Sequence, residues 1–205
     1  MDKRGAYYLT CGIKSAWHGK TLASYDNDDR AKELTKKYLS KASEAVKDGV
    51  GVYLWGANGT GKSHLLNTSF MELISKQYRV RIFSMDEIVD KFTSSWYSDE
   101  DKQELDNVLR NVEFLGIDEF GKNVDKDGKP MYLPDLVKRV MESVIRFRVQ
   151  MKKPIWFASN TEPKFVGTVF SEDIASLLRE AVMTIPVRGD DYRKVIGRKI
   201  KDKYS

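Results

Sequence analysis

The sequence holds one cysteine, Cys11, and two histidines, His18 and His64. A lone cysteine excludes an internal disulfide, and so few scattered ligands argue against a structural zinc site. Long apolar runs are also missing. The longest stretch of apolar residues and glycine, Gly49 to Ala57, falls far short of the ~20 residues that span a bilayer. No apolar stretch of signal-peptide length follows Met1-Asp2-Lys3-Arg4-Gly5. These absences point to a cytoplasmic protein with no membrane contact. What is present suits a globular chain: 205 residues, 41% hydrophobic and 32% charged. That is too apolar for disorder and long enough for one domain with a sizeable core, or two very small ones.

The formal net charge is +5, from 35 basic and 30 acidic residues. Residues 192–205 contribute six bases (Arg193, Lys194, Arg198, Lys199, Lys201, Lys203) and one acid, Asp202. Removing them leaves 29 bases and 29 acids, so the whole excess lies in this tail. A basic tail suits a phosphate backbone; a solvated last helix is the alternative.

Along the chain, 1–24 read as an irregular lead-in. Asp28 or Asp29 caps a helix expected to run to about Lys47, with Ala31, Leu34, Leu39, Ala42 and Val46 toward the core. Short apolar runs at 50–55, 80–83, 113–118, 154–159 and 185–187 read as strands. Helical segments are expected at about 62–76, 85–96, 99–111, 135–151 and 171–181. Strands separated by helices imply an α/β fold, a parallel five-stranded sheet covered on both faces.

Gly56-Ala57-Asn58-Gly59-Thr60-Gly61-Lys62-Ser63 fits the pattern Gly-x-x-x-x-Gly-Lys-Ser/Thr and sits between a strand and a helix. The glycines let consecutive N–H groups turn inward, and the helix N-terminus adds partial positive charge toward a phosphate. Lys62 can reach the β- and γ-phosphates of ATP, and Ser63 offers its hydroxyl to Mg²⁺. These eight residues and the following His64 are the candidate nucleotide contacts. About 55 residues downstream, Phe114-Leu115-Gly116-Ile117-Asp118-Glu119 ends a buried run in two acids. Asp118 is the candidate metal ligand, and Glu119 the group that polarises the attacking water. Asn160, at the end of the fourth strand, lies where a parallel sheet forms its ligand crevice and can orient water there; an ordinary Asn turn is the alternative.

Strand, glycine-rich loop, acidic pair and strand-end Asn, in this order, resemble the AAA+ ATPase core. The resemblance makes Asn160 its sensor I. Phe170 to Glu180 is similar to the arginine-finger helix of the DnaC/DnaI-type helicase loaders and IstB-type transposition ATPases. Val187-Arg188-Gly189-Asp190-Asp191-Tyr192-Arg193 resembles the closing segment of that branch, which makes Arg193 the sensor II. The resemblance covers about residues 18–200, with His18 to Tyr38 as the entry into the core. It implies a P-loop sheet without a separate lid domain. The expected layout is a short arm (1–17), the AAA+ core (18–191) and the basic tail (192–205). The family's finger position holds Leu177, so Arg179 is the candidate catalytic arginine and Arg188 the alternative.

Three functions follow from the resemblance. The first is an ATPase that loads a DnaB-type replicative hexameric helicase onto single-stranded DNA, working as a homo-oligomer with ATP shared at subunit boundaries. The second is an ATPase accessory to transposition. The third is a nucleotide-gated assembly protein with negligible hydrolysis. Lys91, Phe92, Trp96 and Tyr97 are candidate single-strand contacts by the same resemblance, against an inward packing of Phe92 and Trp96. Lys122, Lys126 and Lys129 are further candidates for a phosphate backbone, with a solvated loop as the equal alternative. Asn123 to Gly128 opens like a calcium loop, but its twelfth position is Pro134, so it reads as a turn.

Overall fold

The computed structural model describes residues 3–94, 97–121 and 134–193. Five strands, β1 (Gly51–Trp55), β2 (Val80–Ser84), β3 (Phe114–Phe120), β4 (Ile155–Ser159) and β5 (Val182–Pro186), form one parallel sheet in the order β2-β3-β4-β1-β5. Alternating strand residues divide the core between the two faces, as the two-residue period of a strand requires. Val52, Leu54, Ile82, Phe114 and Trp156 pack under helices α2 (Asp29–Ser40), α3 (Ala42–Asp48) and α4 (Lys62–Ser75). Tyr53, Leu115, Ile117 and Phe157 pack with α5 (Met85–Thr93), α6 (Asp99–Asn111), α7 (Asp135–Gln150) and α9 (Glu172–Ala181) on the other face. A parallel five-stranded sheet with helices on both faces is that of an AAA+ ATPase core, as the sequence implied.

The lead-in differs from the irregular segment expected. It forms α1 (Lys3–Thr10) and a 3-10 turn at Ser15–Trp17, and it seals the free edge of β2. Tyr8, Cys11 and Ile13 are buried in the core, and the Ile82 N–H donates to the Cys11 carbonyl at 2.9 Å. The seal depends on Gly12, which has φ +84° and whose Cβ would lie 2.0 Å from the Ile82 carbonyl oxygen. Gly12→Ala is expected to lower Tm by roughly 4–8 °C, about 2 kcal/mol in a domain of this size. Calorimetry checks it; an unchanged Tm would mean that the lead-in does not brace the sheet.

The helix expected over 29–47 breaks at Lys41 into α2 and α3. Asp28 caps it by accepting from the Ala31 N–H, and Gly49 ends it in the left-handed region. The break keeps Ala42 and Ala45 on the core while Tyr38 packs edge-on against Trp156. Near the chain's end, β5 begins directly at the end of α9, three residues earlier than expected. The short α8 (Val166–Val169) was not visible in the sequence pattern.

Arg148 is wholly buried, and among the described residues it pairs with no carboxylate. Its guanidinium donates to the carbonyls of Leu109, Arg110, Val112, Glu113 and Pro154. Burial pushes its pKa down to about 9. It thereby fastens the end of α6 to the N-terminal ends of β3 and β4. The C-terminal ends of the strands, opposite, are left to build a site.

Candidate nucleotide site

The loop between β1 and α4 lies at the mouth of a cleft of about 590 Å³. Gly56 admits no side chain, because a Cβ there would meet the Val187 carbonyl oxygen at 2.1 Å. Its N–H donates to the Ser159 carbonyl at 3.3 Å, joining the loop to the end of β4. Gly59 and Gly61 sit at φ +78° and +95°, where other residues are strained. α4 starts at Lys62 with its N-terminus toward the cleft. The Lys62 ammonium, 9% exposed, donates to the Gly56 and Ala57 carbonyls at 2.9 and 2.7 Å. Burial lowers its pKa to about 8; Asp118 opposes that shift and the nearby Arg193 charge adds to it.

Ser63 Oγ donates to Asp118 Oδ1 at 3.1 Å, and the same carboxylate oxygen accepts the Glu119 N–H at 2.9 Å. Burial raises the Asp118 pKa, against the two hydrogen bonds, which lower it. One hydroxyl and one carboxylate side by side are hard oxygen donors of the kind Mg²⁺ takes when phosphates complete its shell. Among the described residues no group of three or more His, Cys, Asp or Glu could hold a metal. The donor set therefore fits Mg²⁺ arriving with a nucleotide rather than a resident cage. Glu119 has φ +57°, a left-handed conformation costing about 1 kcal/mol for a non-glycine residue, and it lines the cleft. Asn160 Nδ2 donates to Asn58 Oδ1 at 2.6 Å, so the end of β4 touches the loop. Arg193 lines the same cleft, its N–H held by Asp191 Oδ1 at 3.1 Å.

The structure thus gathers Asn58 to His64, Asp118, Glu119, Asn160 and Arg193 around one cavity. Arg179 is not among the lining residues; it is exposed on the last turn of α9, while Leu177 packs partly on the core. Arg188 is exposed as well, and its N–H donates to Asp28 Oδ2. Phe92 is buried, so it is no platform for a base, and Lys91 lies over the Tyr97 ring. Trp96, the lysines at 122, 126 and 129, the turn at 123–128 and the tail beyond Arg193 lie outside the described residues.

The lead-in forms a wall of the cleft that the sequence reading missed. Trp17, Gly19, Lys20, Tyr25 and Asn27 all line it. Tyr25 OH donates to the Thr60 carbonyl at 2.9 Å, and its ring fills the space a Gly61 side chain would need. Asn27 Nδ2 donates to Thr60 O and to Asp190 O, tying the glycine loop to the closing segment. His64 sits between the Trp17 and Tyr25 rings at 5.8 and 5.5 Å, with Nε2 near Thr21 O at 3.2 Å. Burial lowers its pKa, so it stays neutral at pH 7. Besides the resemblance of His18 to Tyr38 to the family's entry into the core, the signal was two aromatic residues in an unpatterned lead-in. The packing that gives them meaning spans some 35 to 160 residues of chain.

Curated relatives carry the same region. The replicative helicase loader DnaI of Bacillus subtilis is 28% identical over 149 residues, covering 71% of this chain and 45% of its own. The replicative helicase loader DnaC of Escherichia coli K12 is 29% identical over 153 residues, covering 71% and 55%. The chain therefore spans about half the length of the curated relatives it matches. Among solved structures, a DnaC helicase loader superposes with a TM-score of 0.71 at 17% identity, covering 85% of this chain and 100% of that one. A DnaI structure gives 0.70 at 18%, covering 87% and 93%. At such identities these likenesses speak for the fold. The family model described as AFG1-like ATPase matches residues 17–199, from the cleft wall at Trp17 through the closing segment. With the AAA+ sheet and a glycine loop facing the acidic pair, the chain belongs to the AFG1-like ATPase family, a family of nucleotide-binding AAA+ proteins.

Proposed function

We propose that this protein binds and hydrolyses ATP with Mg²⁺ and, in the cytoplasm, uses that cycle to load a DnaB-type replicative hexameric helicase onto single-stranded DNA. The observation that carries the ATPase reading is the meeting of Lys62, Ser63, Asp118, Glu119 and Asn160 in one cleft. Support for the loader comes from curated relatives described as replicative helicase loaders.

In this reading the α4 N-terminus and Lys62 hold the phosphate chain. Lys62 exchanges the Gly56 and Ala57 carbonyls for phosphate oxygens. Ser63 and Asp118 would hold Mg²⁺, which would neutralise phosphate charge. Glu119 takes up the proton of the attacking water, and Asn160 orients that water. Arg193 sets its charge against the terminal phosphate. The loader assignment is tested by mixing the protein with the replicative helicase of its own cell or host, with ATP and circular single-stranded DNA. ATP-dependent transfer of helicase to the circle is expected. No association with the helicase, with or without ATP, would refute it.

The depressed Lys62 pKa gives a pH dependence. Above about pH 8 Lys62 in the free site loses its charge, so phosphate binding must return a proton to it. The terminal phosphate completes its own ionisation lower, near pH 6. Affinity for a fluorescent ATP analogue is therefore expected to hold level up to about pH 8. Beyond it the affinity falls by up to about tenfold per unit. A level titration to about pH 9.5 would show that Lys62 keeps its charge.

DNA binding is proposed for the basic tail. Replacing Lys199, Lys201 and Lys203 together by Ala should flatten the dependence of log affinity on log salt by roughly two to three units. Filter binding of single-stranded DNA across a salt series measures this, and an unchanged slope removes the tail from the interface.

A further inference from the structure

The acidic pair sits on a break in the sheet. β3 and β4 pair in register at Ile117↔Phe157 and next at Phe120↔Ser159, so Asp118 and Glu119 together oppose Ala158. Two residues facing one is a β-bulge, which re-aims side chains and interrupts the ladder. Glu119 is the residue pushed into the left-handed region. Such a conformation persists only where neighbours hold it.

The neighbours are side-chain hydroxyls from β4, from the residues after it and from β1. Ser159 Oγ donates to the Phe120 carbonyl and accepts the Thr161 N–H at 2.9 Å. Thr161 Oγ1 donates to the Gly121 carbonyl at 2.8 Å, and Tyr53 OH donates to the Thr161 carbonyl at 3.0 Å. Ser159, Thr161 and Tyr53 are 0%, 3% and 1% exposed, so water cannot replace these bonds. Gly121, at φ +70°, leaves room for a side chain only at 3.1 Å from Thr161 Oγ1. The hydroxyls thus stand in for the ladder bonds that the bulge removes. They flank Asn160 on both sides, and the Ser159 carbonyl also accepts from Gly56 at the start of the glycine loop.

We propose that Thr161 and Ser159 are positioning residues for ATP hydrolysis, whose buried hydroxyls clamp the bulge that aims Glu119 into the cleft and lock it to the Asn160 loop. The proposal rests on the reading of Glu119 as the water-activating group. A buried Thr or Ser beside a polar strand end has an ordinary role in closing a turn. Here both hydroxyls donate to consecutive carbonyls immediately after Glu119, which a local turn within 159–161 does not require.

Thr161→Val removes one hydroxyl at constant shape; Thr161→Ser restores it. Thr161→Val is expected to lower kcat about 10- to 100-fold while affinity for a fluorescent ATP analogue stays within about threefold. Thr161→Ser should stay within about threefold of wild type in both. In a Glu119→Gln background, Thr161→Val should change the residual single-turnover rate no further. Tyr53→Phe, which removes the hydroxyl's bonds to the Thr161 carbonyl and to the Ser159 side chain, should lower kcat in the same sense and carries the test if Thr161→Val does not fold. A wild-type kcat in Thr161→Val, or in Tyr53→Phe standing alone, beside a dead Glu119→Gln sinks the proposal alone. So does a further loss in the Glu119→Gln background. A Glu119→Gln protein that hydrolyses at the wild-type rate sinks the underlying reading and the proposal with it.

Discussion

Glu119→Gln is expected to bind ATP within about threefold of wild type and to hydrolyse it about 100- to 10,000-fold more slowly, the range for loss of a positioned general base. The side chain keeps its size and its place in the cleft, so the left-handed backbone at φ +57° and the hydrogen bond from its N–H to Asp118 have no reason to change. Asp118 and Ser63 still meet, so the metal ligands are spared. What is lost is the carboxylate that can take a proton from water. Lys62→Ala should fail one step earlier, at binding, because it removes the cation buried under the phosphate loop. The pair separates binding from chemistry. Equilibrium titration with a fluorescent analogue and phosphate release under saturating ATP measure the two. Wild-type turnover in Glu119→Gln would move the chemistry to another group and remove the acidic pair from the mechanism.

The sequence made the phosphate end of this cleft legible because its chemistry is local. Gly56 to Ser63 sit within eight consecutive residues, and their pattern already prescribes a loop, a helix start and a buried cation. The acidic pair was legible as two acids closing an apolar run, but not as part of the strand itself: β3 was expected to stop at Asp118 and instead continues to the buried Phe120. The bulge was not legible, because nothing in Phe114 to Phe120 says that Asp118 and Glu119 will share one partner residue. That depends on how β4 closes with Ser159 and Thr161, about 40 residues away. The lead-in was missed for a related reason. Tyr8, Cys11, Ile13 and Tyr25 follow neither a helical nor a strand period, so their burial shows only once the edge of β2 and the glycine loop are in place. The single helix expected over 29–47 failed where propensity and pattern ran on smoothly but the core turned, at Lys41.

The arginine that completes the site is expected to come from a second copy of the chain. Within one protomer Arg179 stands exposed on α9, away from the cleft its own residues line, and Leu177 is committed to the core. An arginine delivered in trans stabilises the charge that develops on the transferred phosphoryl group, typically by 10³- to 10⁵-fold in rate. It also makes turnover depend on assembly. The isolated protomer should therefore bind ATP yet hydrolyse it slowly, with activity per subunit rising as protein concentration, or DNA and helicase, drives association. Arg179→Ala and Lys62→Ala should each be inactive alone. Mixed in equal amounts they should recover up to about a quarter of the wild-type rate. In a head-to-tail contact that fraction of boundaries pairs an intact Lys62 site with an intact neighbouring Arg179. Full activity of Arg179→Ala alone would pass the role to Arg188, for which the same mixing experiment applies. Turnover per subunit that stays constant while sedimentation shows the assembly changing would remove the shared site altogether, and with it the coupling of hydrolysis to assembly.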